Sequence, residues 1–256
     1  MKIATWNVNS LKVRLEQVLY WLEVSNCDVL ALQELKLDND NFPKNIFIEK
    51  GYHVIFNGQK TYNGVAIISR YPILDPEYDI PNYDDIQKRV IAGTINGIRI
   101  ICAYVVNGEN VNSDKYIYKL NWLDQFKRYN ENNLKVTDRL IVLGDYNIAP
   151  EDRDVYNPIE WKDKVLCSIP ERKHFKELLE LGLYDSFRLF NQNNQQYTWW
   201  DYRNFAFKRK LGLRIDHILI SESIKKIATE CIIDTVPRNN ERPSDHTPVV
   251  LTITTY

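Results

Sequence analysis

Ten short apolar stretches punctuate the chain: KIATWNV, DVLALQE, YHVIFNG, GVAIISR, RVIAGTI, IRIICAYV, LIVLGDYN, RIDHILI, ECIIDT and PVVLTIT. Most are rich in β-branched residues and bounded by Gly, Asn, Asp or Pro, so they predict strands. Helical periodicity is rarer. Leu11, Leu15, Val18, Leu19 and Leu22 recur on one helical face. Ser113 is placed to cap a second helix carrying Ile117, Leu120, Leu123 and Phe126, and Pro170 to open a third with Phe175, Leu178, Leu179 and Leu183. Asn96-Gly97 between two apolar runs predicts a hairpin. No linker or low-complexity stretch divides the chain, so residues 1–256 are expected to form one α/β domain with many strands and helices on its outer faces.

Composition narrows the class without naming a function. Hydrophobic residues make up 44% and charged residues 26%, an ordinary globular balance. No apolar run is long enough to span a bilayer, and the opening MKIATWNVNS lacks the apolar core of a secretory signal, so a cytoplasmic protein without membrane contact is expected. The four cysteines, Cys27, Cys102, Cys167 and Cys231, form no C-x-x-C pair, which argues against a zinc knuckle or a disulfide framework. The net charge of −1 argues against a protein held on nucleic acid by bulk charge alone, though not against a local patch. Tyr202 to Arg214 is such a patch: Arg203, Lys208, Arg209, Lys210 and Arg214 alternate with aromatics and no acidic residue intervenes.

The ends of the predicted strands collect polar side chains. TWNVN ends in Asn7 and Asn9, ALQE in Glu34, CAYVVNG holds Tyr104, LGDYN ends in Asp145 and Asn147, GLRID holds Asp216, and RPSDHTP places Asp245 and His246 before the last strand. Residues two apart on a strand share a face, so Asn7 with Asn9, and Asp145 with Asn147, are each expected to present a paired polar edge. Glu34, Asp145 and Asp245 could then supply the oxygen ligands that a hard divalent cation prefers. Each feature also has an ordinary reading: Asn9 or Ser10 as a helix cap, Asp145-Tyr-Asn147 as an Asx turn, Asp216 as the ion-pair partner of Arg214.

Taken in order, TWNVNSLKVR, LALQELK, YNGVAIISR, AYVVNGE, LGDYNIAPEDRDV, YTWWDYR, GLRIDHIL and SDHTPVV resemble the endonuclease/exonuclease/phosphatase superfamily, and within it the exonuclease III family of apurinic/apyrimidinic endonucleases, over essentially the whole chain. The resemblance implies a four-layer α/β sandwich of two packed mixed β-sheets flanked by helices, with a Mg²⁺ or Mn²⁺ site at one end. It implies Glu34 as main metal ligand with Asn7 beside it, Asp145, Asn147, Asp245 and His246 around the ion, and catalytic roles for Tyr104, Asp145, Asn147, Asp216 and His246. Asp145 would activate water, Asn147 orient it, His246 contact the scissile phosphate with Asp216 behind it, and Tyr104 face the phosphate or leaving oxygen. Asn9, Tyr62, Trp199, Arg203, Lys208, Arg209, Lys210, Leu213 and Ile215 would face DNA, with Trp199, Leu213 and Ile215 lining a pocket for a base-less sugar. Val106 stands where the family often has Pro, and Leu213 where some members carry Trp.

The implied activity is hydrolysis 5′ to abasic sites in duplex DNA, with trimming or cleaning of 3′ ends, by a monomer. Two rivals remain open at this point: a phosphatase or phosphodiesterase of the same superfamily acting on a lipid or small molecule, and a DNA-binding protein without turnover.

Overall fold

The computed structural model describes residues 1–254. Its strands are β1 (Lys2–Asn7), β2 (Val29–Gln33), β3 (His53–Asn57), β4 (Val65–Ser69), β5 (Leu74–Tyr78), β6 (Val90–Ile95), β7 (Ile98–Tyr104), β8 (Leu140–Asp145), β9 (Leu183–Asp185), β10 (Trp199–Trp200), β11 (Gly212–Leu213), β12 (Asp216–Ser221), β13 (Ala228–Ile233) and β14 (Val249–Ile253). Its α-helices are α1 (Leu11–Ser25), α2 (Lys44–Glu49), α3 (Asp114–Val136), α4 (Pro158–Trp161), α5 (Ile169–Glu180), α6 (Ser186–Phe190) and α7 (Glu222–Lys225).

Two six-stranded mixed sheets face one another, in the orders β13-β14-β1-β2-β4-β3 and β5-β6-β7-β8-β12-β9. Between them lies a core in which Ile3, Val29, Ala31 and Ile67 meet Ile100, Cys102, Ile141, Leu143 and Ile218. The outward faces are covered too. Ala4, Trp6, Leu30 and Leu32 pack beneath Val18, Leu19 and Leu22 of α1, while Ile101 and Val142 pack beneath Trp122 and Phe126 of α3 and Phe175 and Leu178 of α5. Burial on both faces explains why the central strands read as continuous rather than alternating apolar runs. Each aliphatic side chain so enclosed stabilises the fold by about 1.5–3 kcal/mol. The four-layer expectation therefore holds.

Local departures have physical causes. The hairpin forms as expected, with Asn96 and Gly97 both at positive φ between β6 and β7. On α3 Leu123 and Phe126 are buried as expected, but Ile117 is 60% exposed and the face widens to take in Tyr116, Lys119 and Trp122. The aromatic rings fill that space, and Lys119 finds a buried carboxylate. Leu183 belongs to β9 rather than α5, because the helix ends at Glu180 and the chain turns at Gly182. Ser10 stands at the N-cap of α1 yet makes no side-chain cap bond. β10 and β11, two residues each, are too short to carry a periodic signal.

Candidate active site

The two sheets bring their polar ends to one place. In the first, parallel β1 and β2 finish together with Asn7 opposite Gln33, so Glu34 follows directly beside Asn7. In the second, Tyr104 of β7 lies opposite Asp145 of β8, and Asp145 opposite Asp216 of β12, one row across three strands. That row needs the close approach of β7 and β8 at Gly144, where φ is +149° and an added Cβ would fall 1.8 Å from the Ala103 carbonyl oxygen.

The expected paired edges do not form by strand alternation. β1 and β8 stop at Asn7 and Asp145, and Asn9, Glu34 and Asn147 have positive φ values of 44°, 53° and 49°. Such backbone costs energy in non-glycine residues and persists where surroundings hold it. Here Asx-type bonds do so: the Asn9 backbone N–H donates to Asn7 Oδ1 (2.9 Å), and that of Asn147 to Asp145 Oδ1 (2.9 Å). The turn reading and the polar site are thus the same feature.

Asn7 joins the sheets. Its Nδ2 donates to Glu34 Oε1 at 2.8 Å and to Asp145 Oδ2 at 2.9 Å, leaving a second lone pair free on its Oδ1. Asn147 Nδ2 donates to the Val105 carbonyl (3.0 Å) and to Asp145 Oδ2 (3.2 Å). His246 is buried with Nδ1 2.9 Å from Asp216 Oδ2 and Nε2 3.8 Å from Asp145 Oδ2. Asp216 pairs with His246 and not with Arg214, which instead binds Asp154 and Asp185.

The electrostatics follow from burial. Desolvation would lower the His246 pKa, but the Asp216 and Asp145 carboxylates outweigh it and hold the imidazole protonated well above its usual range. Asp145 is pushed above the usual carboxylate range, by burial first and then by Asp216, against the pull of His246 and Asn7. Tyr104 is raised by burial and by Glu34, so its phenol keeps its proton, and the Arg89 guanidinium lies 4.7 Å over its ring.

Ligand atoms of Glu34, Asp145 and His246 lie within 4.8 Å of one another. Asp216 Oδ1 has no hydrogen-bond partner among the described residues. Two oxygen-donor residues, a free amide lone pair and an excess of negative charge suit a hard divalent cation. Asp245 stands apart from that set: Oδ1 accepts from Asn9 Nδ2 and Oδ2 from Trp199 Nε1, both at 2.9 Å. It anchors the rim.

The expected DNA-facing residues divide. Tyr62 is exposed, as are Arg203, Lys208, Arg209 and Lys210 in the segment between β10 and β11. Trp199 is part-exposed. Leu213 and Ile215, at 0% and 1% exposure, are enclosed in a cluster with Ala149, Val155, Leu166 and Cys167, against which the part-exposed Trp199 packs. Arg203 is paired with Asp201 at 2.6 Å rather than free.

Other contributors carry no strand-end signal. Lys36 Nζ reaches Glu34 Oε2 (3.1 Å) and Asn9 Oδ1 (2.5 Å). Asn107 Nδ2 donates to Asn147 Oδ1 at 3.0 Å and so fixes that amide's orientation. Thr198 Oγ1 accepts the backbone N–H groups of Ile215 and Asp216, and Ser244 Oγ donates to the Asn7 carbonyl while accepting from the His246 N–H. All four lie within the quoted stretches LALQELK, AYVVNGE, YTWWDYR and SDHTPVV, but their contacts needed the fold.

A profile of the Endonuclease/Exonuclease/phosphatase family matches residues 4–246. The chain is 32% identical to the exodeoxyribonuclease III of Haemophilus influenzae over 97% of its own length and 98% of that protein's. Among solved structures, a 3′ phosphatase, NExo, from Neisseria bound to a product DNA hairpin superposes with a TM-score of 0.98 at 47% identity, covering both chains fully. An AP endonuclease from Archaeoglobus fulgidus superposes at 0.95 with 38% identity, again over both full chains.

Proposed function

The chain belongs to the endonuclease/exonuclease/phosphatase family, in its exonuclease III branch, and from that premise we propose that it is a metal-dependent DNA-repair nuclease. It hydrolyses the phosphodiester 5′ to abasic sites in duplex DNA and cleans or shortens 3′ ends. The observation that carries the reading is the unbroken chain of contacts from Glu34 through Asn7 and Asp145 to His246 and Asp216, assembled from both sheets. Because its members run from Asn7 to His246, the chain acts as one catalytic domain.

Each side chain has a task set by its surroundings. Asp145, with its raised pKa and its place between two amides, accepts the proton of the attacking water. Asn7 and Asn147 hold that carboxylate in place. His246, protonated between two carboxylates, presents an N–H to a non-bridging phosphate oxygen and stabilises charge there, a role that competes with ligating a metal. Tyr104, neutral, donates to the phosphate or the departing 3′ oxygen. Glu34, Asp145 and the free lone pair of Asn7 would hold Mg²⁺, or Mn²⁺, with Asp245 bracing the rim. When bound, the ion supplies positive charge against the phosphate and the leaving oxygen. Tyr62, Trp199, Lys208, Arg209 and Lys210 are the candidates for contact with the duplex.

The test is a duplex with one abasic analogue, incubated with Mg²⁺ or EDTA and resolved by length. Incision 5′ to that site only with metal, and none in the intact duplex, is expected. Equal treatment of both duplexes beside rapid turnover of small phosphate esters would move the assignment to a phosphatase of the same family.

A further inference from the structure

Beneath the site lies a lysine that no reading of the strand ends includes. Lys119 of α3 and Glu171 of α5 are both wholly buried, with Lys119 Nζ 2.5 Å from Glu171 Oε1. The ammonium has two further acceptors: the backbone carbonyls of Asn147, at 2.7 Å, and of Asn107, at 3.0 Å. These belong to the segments leaving β8 and β7, and their side chains are joined to each other through Asn107 Nδ2 and Asn147 Oδ1. Glu171 is anchored from the other side by the backbone N–H groups of Leu166 and Ser168 and by the Ser168 hydroxyl.

A buried ion pair is weak evidence for stability, since desolvation offsets its attraction and apolar replacements often do as well. The directed donation to two loop carbonyls is what an apolar replacement would lose. Asn147 sits at φ +49° and has its side chain committed to Asp145, so freedom in its backbone passes directly to the carboxylate.

We propose that Lys119, seated by Glu171, is a positioning residue for phosphodiester hydrolysis: it clamps the Asn147 and Asn107 carbonyls so that the two amides hold Asp145 in its reactive orientation. This rests on the function proposed above. The clamp acts through Asn147, so its loss lowers kcat and leaves KM unchanged.

Lys119→Met alone strands Glu171 and can unfold the protein, so the informative variant is Lys119→Met/Glu171→Gln, with Lys119→Arg as the conservative partner. On the abasic duplex with saturating Mg²⁺, the neutral pair is expected to lose about 10- to 100-fold in kcat at constant KM, and Lys119→Arg to retain most of it. In an Asn147→Ala background the neutral pair should cost clearly less than in the wild type, because the side-chain part of the coupling is already gone while the Asn147 backbone N–H still reaches Asp145. An unchanged kcat in the neutral pair, a full and additive loss in both backgrounds, or an arginine variant as slow as the neutral pair would each overturn the proposal. Should the wild type fail to incise abasic DNA, the function falls, and the clamp is then judged from the side-chain amide resonances of Asn147 and Asn107. They must shift in the neutral pair; resonances that stay in place reject the clamp.

Discussion

Two clusters of buried charge meet at the segment Arg214 to His217. In the first, Arg214 is bound by Asp154 at 2.7 Å and Asp185 at 2.8 Å, and Arg188 adds a second cation to Asp154 at 2.5 Å. Two guanidinium groups face two carboxylates. In the second, Glu34, Asp145 and Asp216 face one imidazole, with Lys36 only at the part-exposed rim. The consequence is seen in two aspartates of similar burial. Asp154 is held below the usual carboxylate range because its arginines overcome desolvation; Asp145 is pushed above it because its own partners do not. A cluster that balances its charges internally has nothing left to offer a substrate. One left short of positive charge is suited to a metal ion and a phosphate.

The largest effect should come from neutralising the unbalanced cluster. Asp145→Asn keeps the shape and removes the proton acceptor, so kcat on the abasic duplex should fall on the order of 10⁴-fold. Stability should hold or rise, since a costly buried charge is gone. Activity near the wild-type value would sink the mechanism. The same change in the balanced cluster should do the opposite. Asp154→Asn leaves Arg214 and Arg188 short of a counter-ion in a dry place, and unfolding in urea should show a loss of about 4 kcal/mol. The kcat of the folded fraction should change far less than in Asp145→Asn. If both variants lost activity and stability alike, the distinction between the clusters would collapse.

How far the sequence alone reaches differs for fold and site. The strands were readable because burial on both faces leaves long β-branched runs, and the hairpin because Asn96-Gly97 suits positive φ. The cluster of polar residues proposed as catalytic was readable from the strand ends, though not by the alternation argument behind the paired edges, since Asn9 and Asn147 lie past the strands. Leu213 and Ile215 show a general limit: apolar residues at alternating spacing look the same on a pocket wall and in a core, and both are enclosed here. Lys119 was out of reach because its carboxylate partner lies 52 residues away and its other partners are the backbone carbonyls of Asn107 and Asn147, which have no sequence signature.

The smallest effect concerns the two histidines flanking the divide, and it tests whether charge balance extends to protons. His246 is held protonated by carboxylates. His217 has its Nε2 donating to the Ile148 carbonyl at 2.8 Å and its Nδ1 accepting from Arg214 Nη1 at 3.1 Å, so the ring must be neutral. Burial, then Arg214, lowers its pKa to about 4. The unfolded chain binds this proton near pH 6.5, so between pH 6.5 and about 4 the unfolded state carries more protons than the native one. Stability contributed by His217 is therefore complete above pH 6.5 and is lost as pH falls toward 4, on the order of 2–3 kcal/mol across the window. His217→Gln can donate to Ile148 and accept from Arg214 without titrating. Urea midpoints at pH 7 and pH 5 should fall less steeply with acid in this variant than in the wild type. An identical fall in both would mean that acid acts through other groups, and that the neutral ring beside Arg214 is a packing choice rather than a part of the charge balance.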